Sequence, residues 1–217
     1  LFAVFVVVDY LGDAIHKLER APAIRPGEPF PTKLSGTGLF ADTPSLTPHP
    51  ALIPYEVNAP AWHDGAVGKR YVALPGTGRM EVTRHGGWNF PDGTAIVQTL
   101  SLQNKRIESR VLLRQQNEWA GYSYAWNEAQ TEAMLVSAEG ETRQLGSGQR
   151  WRIPGKQECM SCHSRAANFV LGLSTVQLNR GNQVADWERA GVLTSSHAPV
   201  AEARWRRELA TQKRDDK

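Results

Sequence analysis

The chain has 217 residues, 41% of them hydrophobic and 22% charged, and 25 basic against 22 acidic side chains give a formal charge of +3. That length and composition fit one large domain or two small ones with a self-sufficient core, and they exclude a disordered chain. The charge is too mild and too dispersed for a nucleic-acid partner, and two cysteines cannot build a disulfide framework.

The opening LFAVFVVVDY has eight apolar residues in succession, far fewer than the roughly 20 needed to cross a bilayer. It lacks the basic start and small-residue cleavage pattern of an intact export signal, so it reads as a strand or as the remnant of a trimmed signal, and no integral membrane segment is expected. DAIHKLER, at 13–20, is predicted as a short helix, and residues 1–30 are read as an N-terminal extension. Prolines then recur through Pro60, each lacking an N–H and fixing φ. Residues 31–67 are accordingly expected to form a proline-rich segment docked on the body through Leu39-Phe40 and Leu52-Ile53.

From 68 to 153 the pattern becomes two-residue alternation punctuated by turn residues. RYVALPG, RMEVTRHGG, GTAIVQTLSL, RIESRVLLRQ, EWAGYSYAW, EAMLVSAEG and QRWRIPG are all predicted strands. EWAGYSYAW places Tyr122, Tyr124 and Trp126 on one face and Gly121, Ser123 and Ala125 on the other, and the aromatic face is read as sheet packing. After Pro154 helical spacing takes over: helix is predicted from the cysteines onward in CMSCHSRAANFVLG, then in LSTVQLNR, in NQVADWERAGVL and in a terminal AEARWRRELATQ. The predicted fold class is α+β, a β-rich antiparallel sandwich or barrel-like body (68–153) followed by a small helical C-terminal part (154–217), with 31–193 acting as one unit.

QECMSCHSRA holds both cysteines, Cys159 and Cys162, with His163 directly after the second. Covalent haem attachment needs two thiols that each add to a vinyl group, and an imidazole that reaches the iron from the same side. C-x-x-C-H supplies all three in five residues. A zinc site would need a fourth ligand from distant His49, His63, His85 or His197, and adjacent Cys-His rarely serve one ion. A thioredoxin-like dithiol would need flanking strand and helix alternation that the sequence lacks. Haem c is therefore the preferred reading, one covalent group on Cys159 and Cys162 with His163 as the proximal iron ligand. No methionine follows Met160, so the distal candidates are Met80, Met134, His63, His85 and His197. Arg152, Lys156 and Arg165 are the propionate candidates on spacing alone. No catalytic set emerges: WHDG at 62–65 and GSGQR at 146–150 read as turns.

Four blocks then carry a resemblance: LSGTGLFADTPSLTPHPALIPYEVNAPAWHDGA, WNFPDGTAIVQTLSL, IESRVLLRQQNEWAGYSYAWNEAQTEAMLV and ECMSCHSRAANFVLGLSTVQLNR. Together, over roughly residues 31–193, they resemble a bacterial family of haem-c-containing modules. Such modules occur as dihaem c-type cytochromes or fused behind β-propellers of the PQQ-dependent sugar dehydrogenase type. The resemblance implies a periplasmic or secreted electron-transfer module whose partner is a PQQ-type dehydrogenase or another cytochrome. Family members continue past the AGVL-like segment to a second C-x-x-C-H, which this sequence does not contain. It therefore implies either a one-haem variant or a chain lacking the second site. His63 stands where family members tend to carry Ser in a WSDG-like segment. The competing expectation is a carbohydrate- or partner-binding β module with a structural zinc or a vestigial haem motif.

Overall fold

The computed structural model describes residues 6–9, 14–17, 30–83, 87–146 and 148–194. The chain divides into two units, Leu1–Phe30 and Pro31–Lys217. In the first, strands β1 (Val6–Asp9) and β2 (Ala14–Lys17) form an antiparallel hairpin with Val6 opposite Lys17. Over Ala14–Lys17, the described part of DAIHKLER, a strand replaces the expected helix. The adjacent VVVD run supplies a β-branched pairing partner, and pairing outweighs the local helical preference.

The second unit is organised by β3 (Phe40–Asp42), β4 (Thr47–Pro48), β5 (Leu52–Pro54), β6 (Val67–Ala73), β7 (Met80–Val82), β8 (Trp88–Asn89), β9 (Ala95–Leu102), β10 (Lys105–Gln115), β11 (Glu118–Trp126), β12 (Ala133–Leu135), β13 (Glu141–Gln144) and β14 (Arg150–Ile153). Helices α1 (Lys156–Cys162), α2 (Thr175–Leu178) and α3 (Gln183–Arg189) follow, then strand β15 (Leu193–Thr194). This is the expected α+β plan of a β-rich body and a small helical part, and each of the seven predicted runs contains a strand.

A six-stranded antiparallel sheet of order β12-β11-β10-β9-β6-β5 is the frame. Its central meander is set by two-residue turns at Gln103-Asn104 (φ 50° and 64°) and Gln116-Asn117 (φ 54° and 61°). Positive φ at both turn residues matches the twist of the flanking strands and fixes the register. The carboxylate of Asp92 accepts the N–H groups of Gln116 and Asn117 and holds the second turn.

That register sorts side chains into rows, because directly opposed residues share a face. One face carries Val72, Ile96, Leu112 and Gly121 in one row, Arg70, Gln98, Arg110 and Ser123 in the next, and Gly68, Leu100, Glu108 and Ala125 in a third. The first row joins a large apolar cluster with Met80 and Val82 of β7, Trp88 of β8, Val170 and Leu173, Leu178 of α2, Trp187 of α3 and Leu193 of β15. The parallel pairing of β15 with β7 closes this cluster. The third row joins a second cluster with Ile107, Trp151 and Ile153, under the β13–β14 hairpin. Between two apolar clusters, the same sheet face therefore carries a polar row.

On the opposite face, Tyr124 and Trp126 are buried, the Tyr124 hydroxyl donates to the Pro31 carbonyl at 2.9 Å, and Trp126 Nε1 donates to Ser109 at 3.0 Å. Phe40 meets Tyr71 edge to face at 6.2 Å. Part of the proline-rich segment thus packs on this face through Phe40, and another part, β5, extends the sheet as its edge strand. Among the described residues no helix is long and apolar enough to cross a membrane.

Candidate functional site

The cysteine motif is positioned by the first helix after the sheet. Gly155 precedes α1, and the Glu158 carboxylate accepts the Gly155 N–H at 2.8 Å while pairing with Arg152 at 2.6 Å. An acidic group at this end of a helix also complements the partial positive charge of its free N–H groups. Gly155 itself admits no side chain, since a Cβ would fall 2.1 Å from the Ala138 carbonyl oxygen. Cys159 and Cys162, three apart, lie on neighbouring turns of one helical face. That face is set close against β11 because residue 121 is glycine: a Cβ there would stand 2.5 Å from the Cys159 Cβ.

Helix α1 stops at Cys162, shorter than the expected helix. Asn168 and Phe169 both adopt positive φ (49° and 60°), which a continuing helix cannot accommodate. The chain reverses, and the Phe169 carbonyl arrives 2.6 Å from His163 Nδ1. An N–H at Nδ1 donates to that carbonyl, which fixes the tautomer and leaves Nε2 as a lone-pair donor. Burial pushes the His163 pKa down, opposed by this hydrogen bond and aided by Arg110, so the ring is held neutral.

Cys159, Cys162 and His163 line one cavity of about 560 Å³, within the size range of small-molecule and cofactor sites. Its apolar walls include Val57, Ile96, Leu112, Val170 and Leu171, and its polar floor is the row of Arg70, Gln98 and Arg110. His63 enters from the loop before β6, 3.5 Å from the side-chain nitrogen of Gln98. Burial, then Arg110 and Arg70, push the His63 pKa down.

No family model, curated protein or solved structure matches the chain.

Among the distal candidates, His63 lines the cavity. Met80 is fully buried in the large apolar cluster, and Met134 sits on β12 with 44% of its surface exposed. Neither lines the cavity, and His85 and His197 lie outside the described residues. Of the propionate candidates, Arg152 lines the cavity but is engaged by Glu158 and the Glu139 carbonyl. The Lys156 ammonium lies 5.4 Å from the Tyr122 ring centroid, and Arg165 lies in a short turn of 3-10 helix away from the cavity lining. Sequence reasoning missed Arg70, Gln98 and Arg110. The signal available was charge at alternate positions, Glu108 and Arg110, directly before Val111-Leu112-Leu113, which is apolar on both faces. His63 and Asp64 form the expected turn, closed by the Ala66 N–H on the His63 carbonyl at 2.8 Å.

Both thiols and an imidazole with a free Nε2 open on one cavity large enough for a cofactor, and the buried Arg110 Nε has no protein partner. The rival chemistries fit less well. Among the described residues no three His, Cys, Asp or Glu side chains converge to hold a metal ion, whereas a structural zinc takes four ligands. Burial raises the Cys159 pKa despite its contact with Ser123, the reverse of a thiol activated for disulfide exchange.

Proposed function

We propose that this chain is a haem-c electron-transfer module, carrying one haem through Cys159 and Cys162 with His163 as the proximal ligand. The observation that carries the reading is that these three side chains face one cavity, with His163 Nδ1 occupied by a backbone carbonyl and Nε2 left free. The sequence resemblance to bacterial haem-c modules points the same way. A haem held in this manner supplies a one-electron iron couple whose potential depends on axial ligands, burial and nearby charge.

The chain's own residues have definable tasks. Gly121 lets α1 lie close enough to the sheet for Cys159 to open on the cavity. The Phe169 carbonyl orients the His163 ring and raises the basicity of Nε2. His63 is the distal ligand in this reading, because it is the described candidate that lines the same cavity. Ile96, Leu112 and Val170 of the large apolar cluster supply an apolar wall against which a porphyrin face would pack.

Covalent haem attachment belongs to the oxidising side of a bacterial membrane, so the module is assigned to the periplasm or the exterior. Its partner is assigned as a redox protein of the PQQ-type dehydrogenase or cytochrome class. Intact-mass measurement of protein matured in a host with haem-c assembly machinery tests the reading. A mass increase of one haem, followed by a potentiometric titration with a single one-electron wave, is expected. An unmodified chain mass would contradict it.

A further inference from the structure

The polar row on the cavity floor is unusual for its place in the fold. Arg70, Gln98 and Arg110 stand side by side on β6, β9 and β10, with the apolar row of Val72, Ile96 and Leu112 on one flank and a row of Gly68, Leu100, Glu108 and Ala125 on the other. Arg70 and Arg110 are half-buried, Arg110 with 31% of its side chain exposed, and taking even part of a guanidinium from water is costly unless charge and hydrogen bonds are returned to it. The protein returns only part. Arg70 bonds the nearby Gly68 carbonyl at 3.1 Å, and no described carboxylate pairs with it. Arg110 is paired at 2.5 Å with the fully buried Glu108, yet its own Nε is buried without a partner. Glu158, the acidic residue lining the cavity, is committed to Arg152. The floor therefore carries excess positive charge and an unmet donor.

We infer that Arg70, Gln98 and Arg110 form a carboxylate-binding subsite on the cavity floor. Guanidinium groups present fixed forks of N–H donors that match a planar carboxylate, and the Gln98 amide adds donors between them. The position along the row also matters. Ser123, at the other end, touches the Cys159 sulfur at 3.9 Å, and Arg70 stands three strands away, about 14 Å at ordinary strand spacing. In a porphyrin bearing vinyl and propionate groups, the carboxylates lie on the half of the ring away from the vinyl groups. The row thus places Arg70 on the strand most remote from the thiol that the proposed function uses for attachment, with Gln98 between it and Arg110, the cross-strand neighbour of Ser123. This assignment rests on that function for the source of the carboxylate, but the subsite's chemistry is equally open to a free small oxyanion.

The two sources are separated by measurement on the full chain expressed without haem maturation. Fluorescence titration compares metal-free protoporphyrin with its dimethyl ester, each with and without excess inorganic phosphate. If the subsite takes the ring's carboxylates, the free acid binds about tenfold or more tightly than the ester. Arg70→Gln abolishes that preference, Arg70→Lys restores part of it, and phosphate does not compete. If it takes a free oxyanion, phosphate binds saturably, and Arg70→Gln removes that binding. Arg70→Gln carries the test because it breaks no internal ion pair, whereas Arg110→Gln strands Glu108. Equal binding of acid and ester without phosphate binding, or a preference that survives Arg70→Gln, overturns the inference. Failure of the matured protein to retain haem contradicts the proposed function alone, since the titration uses the unmatured chain.

Discussion

Gly121 on β11 lies against Cys159 so closely that a methyl group on the glycine would meet the cysteine Cβ at 2.5 Å and its sulfur at 3.1 Å. The haem-motif helix and the main sheet are thus joined at a contact that only a missing side chain permits. Gly121→Ala is expected to push α1 off the sheet, costing about 1–3 kcal/mol as overpacked sites do. It should also lower the fraction of matured chain carrying haem. Gly146→Ala, where a Cβ has nothing within 4 Å, is the control expected to leave both unchanged. Thermal melts and intact-mass ratios of the two variants check this.

In the proposed reading His63 takes the distal position, since it is the described candidate that lines the cavity. His63→Ala is expected to convert a low-spin spectrum of the matured protein to high-spin, while Met80→Ala and Met134→Ala leave the spin state unchanged. The two methionine variants should separate in stability instead. Truncating the fully buried Met80 costs about 2–5 kcal/mol. Truncating the exposed Met134 changes stability by only about 0.5 kcal/mol. A high-spin Met80→Ala protein with intact fold would reassign the ligand.

Glu108 gives a pH dependence with a definite sign. Burial pushes its carboxyl pKa up, against Arg110 and the Trp151 hydrogen bond. The folded chain therefore holds this proton more tightly than the unfolded chain. Its contribution is full below the ordinary carboxyl range and is lost as pH rises through the raised folded value. Glu108→Gln removes this titrating group, so its melting temperature is expected to fall less between about pH 4 and pH 7 than that of the unaltered chain. Melting curves of the two proteins that run parallel across this range would contradict this.

The tautomer of His163 is open to direct observation. With Nδ1 2.6 Å from the Phe169 carbonyl and the pKa depressed, the ring at pH 7 in the unmatured chain is expected neutral, with its proton on Nδ1. Long-range ¹H–¹⁵N correlation spectra distinguish this from the Nε2-protonated form, which would remove the argument for a free Nε2.

Much of the frame was legible because its signals are local. Alternation in GTAIVQTLSL, RIESRVLLRQ and EWAGYSYAW, with Gln-Asn pairs at both turns, is sufficient to define the central meander, and the Cys159–His163 spacing marks the helix to inspect. The misreadings have physical causes. DAIHKLER has a helical pattern, but its Ala14–Lys17 stretch pairs with the β-branched Val6–Asp9 run just before it, and that pairing outweighs the pattern. The helix after the cysteines is shorter than its pattern suggests because the backbone leaves helical geometry at His163 and Ser164 (ψ 55° and 170°), and the following turn brings the Phe169 carbonyl to His163. The cavity floor escaped notice because Arg70, Gln98 and Arg110 become neighbours only through cross-strand register. The nearer basic residues, Arg152 and Lys156, were favoured by sequence proximity, yet they are engaged by Glu158 and by the Tyr122 ring.

The central claim is that Cys159 and Cys162 hold a haem covalently. Its most direct test is the absorbance spectrum of the protein matured in a haem-c-competent host, recorded after full denaturation and reduction. A reduced c-type band that stays with the polypeptide, at one haem per chain, and is lost when both cysteines are changed to alanine is the expected result. A colourless chain, or haem that separates from it on denaturation, would contradict the account.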